Sequence, residues 1–344
     1  MREARRKSYF RCVLIAAAAV AAMTGSTLPA VAQTANPIIM KLSTATIHDT
    51  QHEWLIRFAA AVEKDSGGRI KAEIYPASQL GSIPRQIEGV QFGSIQGWIG
   101  PPEFLVGVDE RYEALSAPGL FSSEDQDIRV INDPAVRGLM LGLGANKGLT
   151  GVALAPIGPS SIASRKPIHH LADFKGLKIR VLASPFQLEM VKRMDASPVA
   201  MTLADVLPAL QQGTIDATLA TITVYSTFHY QDAAKYVINT EQPYLNSMIV
   251  MSKKWLDGLP PDLQKIVRDD ATSVSKSIIP FVKQFYTESY KSWTDHGGEL
   301  TSLPANEQQE LISKISSVGL DTSASKPDLN AAVKIVFASA ARNK

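Results

Sequence analysis

Arg180 is the residue of this 344-residue chain best placed to do recognition chemistry. It stands in Leu177-Lys178-Ile179-Arg180-Val181, where apolar side chains alternate toward a core and leave the arginine on the other face, at the end of a strand. Shortly after it, a helix predicted to open at Ser184 offers free backbone N–H groups and a positive dipole end. A planar guanidinium beside a helix N-terminus suits a carboxylate, with paired hydrogen bonds available. The competing role is a surface arginine in a weak ion pair. Trp98, Phe104, Phe186 and Tyr225 could wall a pocket, since small-molecule sites are mostly apolar with few polar anchors; each also suits an ordinary core. Pro101-Pro102 stiffens the segment that carries Trp98. His48 and His52 resemble a metal pair, but His52 falls inside a helix-start motif and no third ligand is near, so hydrogen-bonded histidines are expected. His169-His170 reads as surface. No G-x-S-x-G, H-E-x-x-H, P-loop or G-x-G-x-x-G is present, and Gly142-Leu143-Gly144-Ala145-Asn146 lies late in an apolar helical stretch. No catalytic residue, metal or cofactor is expected.

Such residues need elements to hold them. Ile38 to Ala45 reads as a strand; Thr50-Gln51-His52-Glu53 reads as a capping box, with Trp54, Leu55, Phe58, Ala59 and Val62 at helical spacing until Gly67-Gly68. Ile70, Ala72 and Ile74 alternate as a second strand, Ser82 to Phe92 is a helix stopped by Gly93, and Ser94 to Ile99 is a third strand. The same order returns: strand Leu177 to Leu182, a helix from the capping box Ser184-Pro185-Phe186-Gln187, strand Pro198 to Met201, a helix capped at Thr202, and strand Ile215 to Leu219. The junctions Val90-Gln91-Phe92-Gly93-Ser94-Ile95-Gln96 and Leu210-Gln211-Gln212-Gly213-Thr214-Ile215-Asp216 look alike. Two α/β lobes of similar build are therefore predicted. Asp262 to Asp295, free of glycine and with Pro280 alone, reads as one helix of ~50 Å bent at that proline; helices near 305–317 and 327–341 follow.

Ligands of open α/β sheets bind beyond the carboxyl ends of the strands. Four segments lie there, two from each lobe: 44–48, 98–104, 180–186 and 218–225. They supply Thr44, His48, Trp98, Pro101, Glu103, Phe104, Arg180, Ala183, Ser184, Phe186, Thr218, Ala220 and Tyr225 as candidate ligand contacts. Glu103 and His48 are the acid–base groups among them, with no evident partner.

The N-terminus bears on compartment. Arg2, Arg5, Arg6, Lys7 and Arg11 precede an uncharged apolar run from Val13 to Met23, and Ala30-Val31-Ala32 follows a helix-breaking stretch. That is the anatomy of a cleavable secretory signal over residues 1–32, and the apolar run is short of the ~20 residues that span a bilayer. The full chain has 35 basic and 33 acidic residues; five and one of these fall in the leader, so the remainder holds 30 against 32. The apparent basicity therefore gives no reason to expect nucleic acid. Cys12, the one cysteine, leaves with the signal, so neither disulfides nor cysteine-bound metal are expected.

Several runs resemble the substrate-binding subunit of tripartite ATP-independent periplasmic (TRAP) transporters, dicarboxylate-binding type: Ser66-Gly67-Gly68-Arg69-Ile70, Tyr75-Pro76-Ala77-Ser78-Gln79-Leu80-Gly81, Lys166-Pro167-Ile168, Asp173-Phe174-Lys175-Gly176-Leu177-Lys178-Ile179-Arg180-Val181, Ala209-Leu210-Gln211-Gln212-Gly213-Thr214-Ile215-Asp216 and Ser252-Lys253-Lys254-Trp255. The resemblance implies a two-lobe periplasmic binding protein of α/β class, with the ligand cleft between lobes, crossing strands and a long helix spanning both. The lobes expected are 33–156 with 246–285, and 157–245 with 286–344. It also implies a periplasmic protein that captures a small organic acid and hands it to TRAP membrane permease subunits, without ATP. Arg180 coincides with the family's carboxylate-holding arginine. Other positions depart: Ala220 stands where an asparagine is common, Pro159 near a common second basic residue, and Leu203 where an aromatic is usual. A monocarboxylate with an apolar or aromatic body is expected on that ground, with Trp98 and Tyr225 as walls. The alternatives are a periplasmic enzyme or a ligand sensor of the same two-lobe fold.

Overall fold

A computed structural model describes residues 36–344, so the expected leader lies outside the described residues. β1 (Ile38–Ser43), β2 (Ile70–Tyr75) and β3 (Gly97–Gly100) alternate with helices Thr50–Asp65 and Ile83–Phe92. β4 (Leu149–Pro159) runs into β5 (Ser161–Ser164) with Ser160 alone between them. β6 (Lys178–Val181), β7 (Ser197–Ala200) and β8 (Ala217–Ala220) alternate with helices Pro185–Arg193 and Leu203–Gln212. β9 (Tyr236–Ile238) precedes β10 (Tyr244–Ser252), and β11 (Glu299–Thr301) comes last. Two sheets result, in the orders β2-β1-β3-β10-β4 and β11-β9-β5-β8-β6-β7. β1 is parallel to β2 and β3, whereas β10 runs antiparallel between β3 and β4. In the second sheet β6 is parallel to β7 and β8, and β5 is antiparallel to β8 and β9. The chain is thus an α/β protein of two lobes, crossed by β4–β5 and β9–β10.

The similar junctions are one device used twice. Gly93 and Gly213 both end their helices at positive φ, 84° and 72°. Gln96 N–H donates to the Lys41 carbonyl while its Oε1 accepts from Lys41 N–H, both at 2.9 Å. Asp216 does the same to Lys178, at 2.8 and 2.9 Å. Each side chain ties the incoming strand to its parallel neighbour, which is why β3 and β8 begin after Gln96 and Asp216 rather than at Ser94 and Ile215.

Other local expectations shift. Asp49, not Thr50, caps the first helix, its carboxylate accepting from Gln51 and His52 N–H at 3.1 and 3.0 Å. Ser184 Oγ accepts from Gln187 N–H at 3.0 Å, but the Gln187 amide oxygen turns to Leu182 N–H and leaves the box half made. The helix expected over 262–295 is two, Pro261–Ser277 and Ile279–Asp295, because Pro280 has no N–H for the preceding turn and starts a new helix instead. The first packs on the Thr50 helix, where Trp54 Nε1 donates to Ser275 Oγ at 2.9 Å; the second packs on helix Ile222–Thr227 of the second lobe.

One apolar core holds Trp54, Phe58, Val62, Ile249 and Val267; another holds Val206, Leu210, Tyr225 and Trp293. The largest runs through both lobes, from Trp98 and Leu154 to Ile179 and Phe186. It also takes Leu329, Val333 and Val336 of helix Pro327–Arg342. That helix packs against Glu110–Ser116 and helices Glu124–Ile131 and Pro134–Gly142 of the first lobe, whereas the lobe division expected from the sequence places 286–344 with the second. No helix among the described residues is long and apolar enough to cross a membrane.

Candidate functional site

Arg180 is 2% exposed. Its Nε donates to the Met201 carbonyl and its Nη1 to the Leu219 carbonyl, both at 3.0 Å, so the guanidinium is clamped across the carboxyl ends of β7 and β8. Nη2 has no hydrogen-bond acceptor, and the guanidinium no carboxylate partner, among the described residues; the ionisable groups that bear on it are the Tyr225 and Tyr230 phenols. Burial lowers its pKa to about 10, which leaves it charged at neutral pH.

A cavity, partly open to solvent, lies against this group. The first lobe contributes Thr46, Gln51, Ile83, Trp98, Pro101 and Phe104 to its wall. The second contributes Arg180, Leu182, Leu203, Ala220, Thr221 and Val224, and Ile157 and Leu245 come from the crossing strands β4 and β10. Trp98 forms part of the wall because Gly100 has no side chain: a Cβ there would lie 2.3 Å from the indole. The Trp98 Nε1 is buried without an acceptor.

Of the residues expected at the site, Arg180, Trp98, Pro101, Phe104, Leu203 and Ala220 line the cavity. The others do not. Thr44 stands behind the wall, its hydroxyl donating to Gln51 Oε1 at 3.2 Å. Thr218 is buried opposite Arg180 in the β6–β8 register. Tyr225 is not a wall but a pin: its hydroxyl accepts from Ala220 N–H at 2.6 Å and lies 2.7 and 2.8 Å from the Ser161 and Thr218 carbonyls, holding β5 against β8. His48 is exposed and its N–H donates to His52 Nδ1, Ala183 is exposed, and Phe186 is wholly within the core. Ser184 and the N-terminus of its helix already serve a carboxyl group. Glu113 Oε1 accepts from the Ser184 hydroxyl and from Phe186 N–H at 2.7 Å, so the donors expected beside Arg180 are spent on the protein itself. Glu103 faces Gln187, whose amide lies 3.4 Å away, rather than the cavity. Burial raises the two carboxyls to about 7 for Glu103 and about 8 for Glu113.

Sequence reasoning found the segments but not their inward faces. Thr46, Leu182, Thr221 and Val224 lie inside the expected stretches, one or two positions from residues chosen instead. Gln51, Ile83, Ile157 and Leu245 had no local signal, since nothing near them in sequence distinguishes a cavity wall from core. Among the described residues no group of three or more His, Cys, Asp or Glu side chains is placed to hold a metal ion.

The family model for the bacterial extracellular solute-binding protein, family 7, matches residues 43–324. The C4-dicarboxylate-binding periplasmic protein DctP of Rhodobacter capsulatus is 28% identical over 67% of this chain and 69% of its own. The 2,3-diketo-L-gulonate-binding periplasmic protein YiaO of Escherichia coli K12 is 29% identical over 65% and 68%. In three dimensions the chain resembles a TRAP periplasmic solute-binding protein of Desulfovibrio salexigens solved with orotic acid, with a TM-score of 0.84, 22% identity and coverage of 89% and 99%; that likeness concerns the fold.

Proposed function

As the chain belongs to family 7 of the bacterial extracellular solute-binding proteins, we propose that it captures a small organic acid in the cavity at Arg180 and delivers it, in the periplasm, to TRAP-type permease subunits. One observation carries the reading: a charged guanidinium, 2% exposed and without a carboxylate partner among the described residues, faces an apolar cavity between lobes. A buried charge is costly unless it is paired, and a ligand carboxylate supplies the missing partner with charge-assisted hydrogen bonds. The names of the two curated relatives, each the binder of an organic acid, support the same chemistry. Binding without turnover is supported by the family, whose members are solute-binding proteins.

Native mass spectrometry of the purified protein, followed by calorimetry with the acid it carries, tests the reading. The expected result is a bound carboxylate whose affinity falls more than about tenfold in Arg180→Ala, as for a lost charge-assisted contact in a desolvated site. Circular dichroism of the ligand-free variant separates lost binding from lost folding. Unchanged affinity removes Arg180 from the site, and conversion of the acid to another product makes the protein an enzyme.

A further inference from the structure

We infer that the ligand is a monocarboxylate with an apolar body, aromatic or branched, and not a dicarboxylate or a polyhydroxy acid; this rests on reading the cavity as an organic-acid site. The argument is an inventory of polar partners. Among the described residues of the wall, Arg180 is the single charge, so it can answer one carboxylate. The three uncharged polar side chains are largely committed. Thr46 Oγ1 is 3.3 Å from Thr44 Oγ1, and Thr221 Oγ1 is 2.7 Å from Thr223 Oγ1. Gln51 Oε1 takes the Thr44 hydroxyl at 3.2 Å, which fixes the amide and leaves its Nε2 as a donor from the opposite lobe.

Apart from the Trp98 indole N–H, the other side chains are hydrocarbon, with Trp98, Phe104, Leu182, Leu203, Val224 and Leu245 in the same wall as the cation. A second carboxylate buried there meets no cation, and a charge taken from water without a partner opposes binding. A sugar acid brings several hydroxyls to a wall whose free uncharged side-chain donors are the Gln51 amide and the Trp98 indole N–H, with two hydroxyls already bonded, so most would lose water and gain nothing. An apolar body loses no hydrogen bonds and gains burial against the indole. One ligand acceptor, such as a 2-oxo group, can be met by Gln51 Nε2.

Calorimetry with four probes decides the matter: phenylacetate and 4-methyl-2-oxopentanoate against succinate and galacturonate. The first two are expected to bind at least about tenfold more tightly than the last two. The variant Leu203→Asn adds a polar partner at a half-buried helix end. It is expected to weaken phenylacetate and strengthen galacturonate at little change in melting temperature. A smaller preference, or tighter binding of succinate or galacturonate, overturns the inference and leaves the organic-acid reading standing. Failure of all four to bind at millimolar concentration sinks that reading and the inference with it.

Discussion

Glu113 takes the place at the Pro185–Arg193 helix that an external anion could have filled, and it does so from the first lobe. The Ser184 and Phe186 bonds favour its charged form, yet burial outweighs them and lifts its pKa to about 8; nearby Glu103 adds to the rise and Lys326 opposes it. Glu103 and Asp127, both buried, move the same way, to about 7. A carboxyl whose pKa is higher in the folded than the unfolded chain binds more protons when folded. Its stabilisation is therefore complete below the unfolded value and lost as pH rises through the folded one. The melting temperature is expected to fall between about pH 4.5 and 8, the window set by Glu113. Asp133, held down at about 2, acts below that window. Glu113→Gln keeps the Oε1 acceptor and removes the proton, so it should flatten the upper part of the curve without lowering stability at pH 5. Differential scanning across a pH series reads both effects; a melting temperature that climbs toward pH 8 contradicts them.

At the scale of elements, the caps and strand ties are separable. Asp49 satisfies two N–H groups at the start of the Thr50 helix, and Asp49→Ala is expected to cost about 1 kcal/mol. Gln96 and Asp216 perform one task in different lobes, so Gln96→Ala and Asp216→Ala should each cost about 1 kcal/mol and add in the double variant. Urea unfolding measures all of these. A double variant far from the sum would mean that the two junctions communicate.

For the whole molecule, the cavity has walls from both lobes and a floor from the strands that cross between them. A ligand that touches Arg180 on one side and the Trp98 wall on the other stabilises the closed arrangement by its difference in affinity for the two states. Small-angle scattering should show a smaller radius of gyration when the acid is added, and Arg180→Ala should lose that change at the same ligand concentration. An unchanged radius on saturation would separate binding from closure.

Alternating strands, glycine stops at Gly93 and Gly213, and the arginine at the end of β6 were legible in the sequence because each depends on neighbours within a few positions. From these the α/β class, the two similar lobes and the segments around the cleft follow. The break at Pro280 was visible too, as a bend, since a missing N–H is a property of the residue itself. Tertiary structure decided the rest. Whether Tyr225 faces a ligand or pins β5 to β8, whether Glu113 reaches the helix at Ser184, and whether Ile157 and Leu245 meet an open space all depend on contacts between parts of the chain far apart in sequence. A cavity wall and a packed core use the same apolar residues, and only the arrangement of distant elements leaves one of them unfilled.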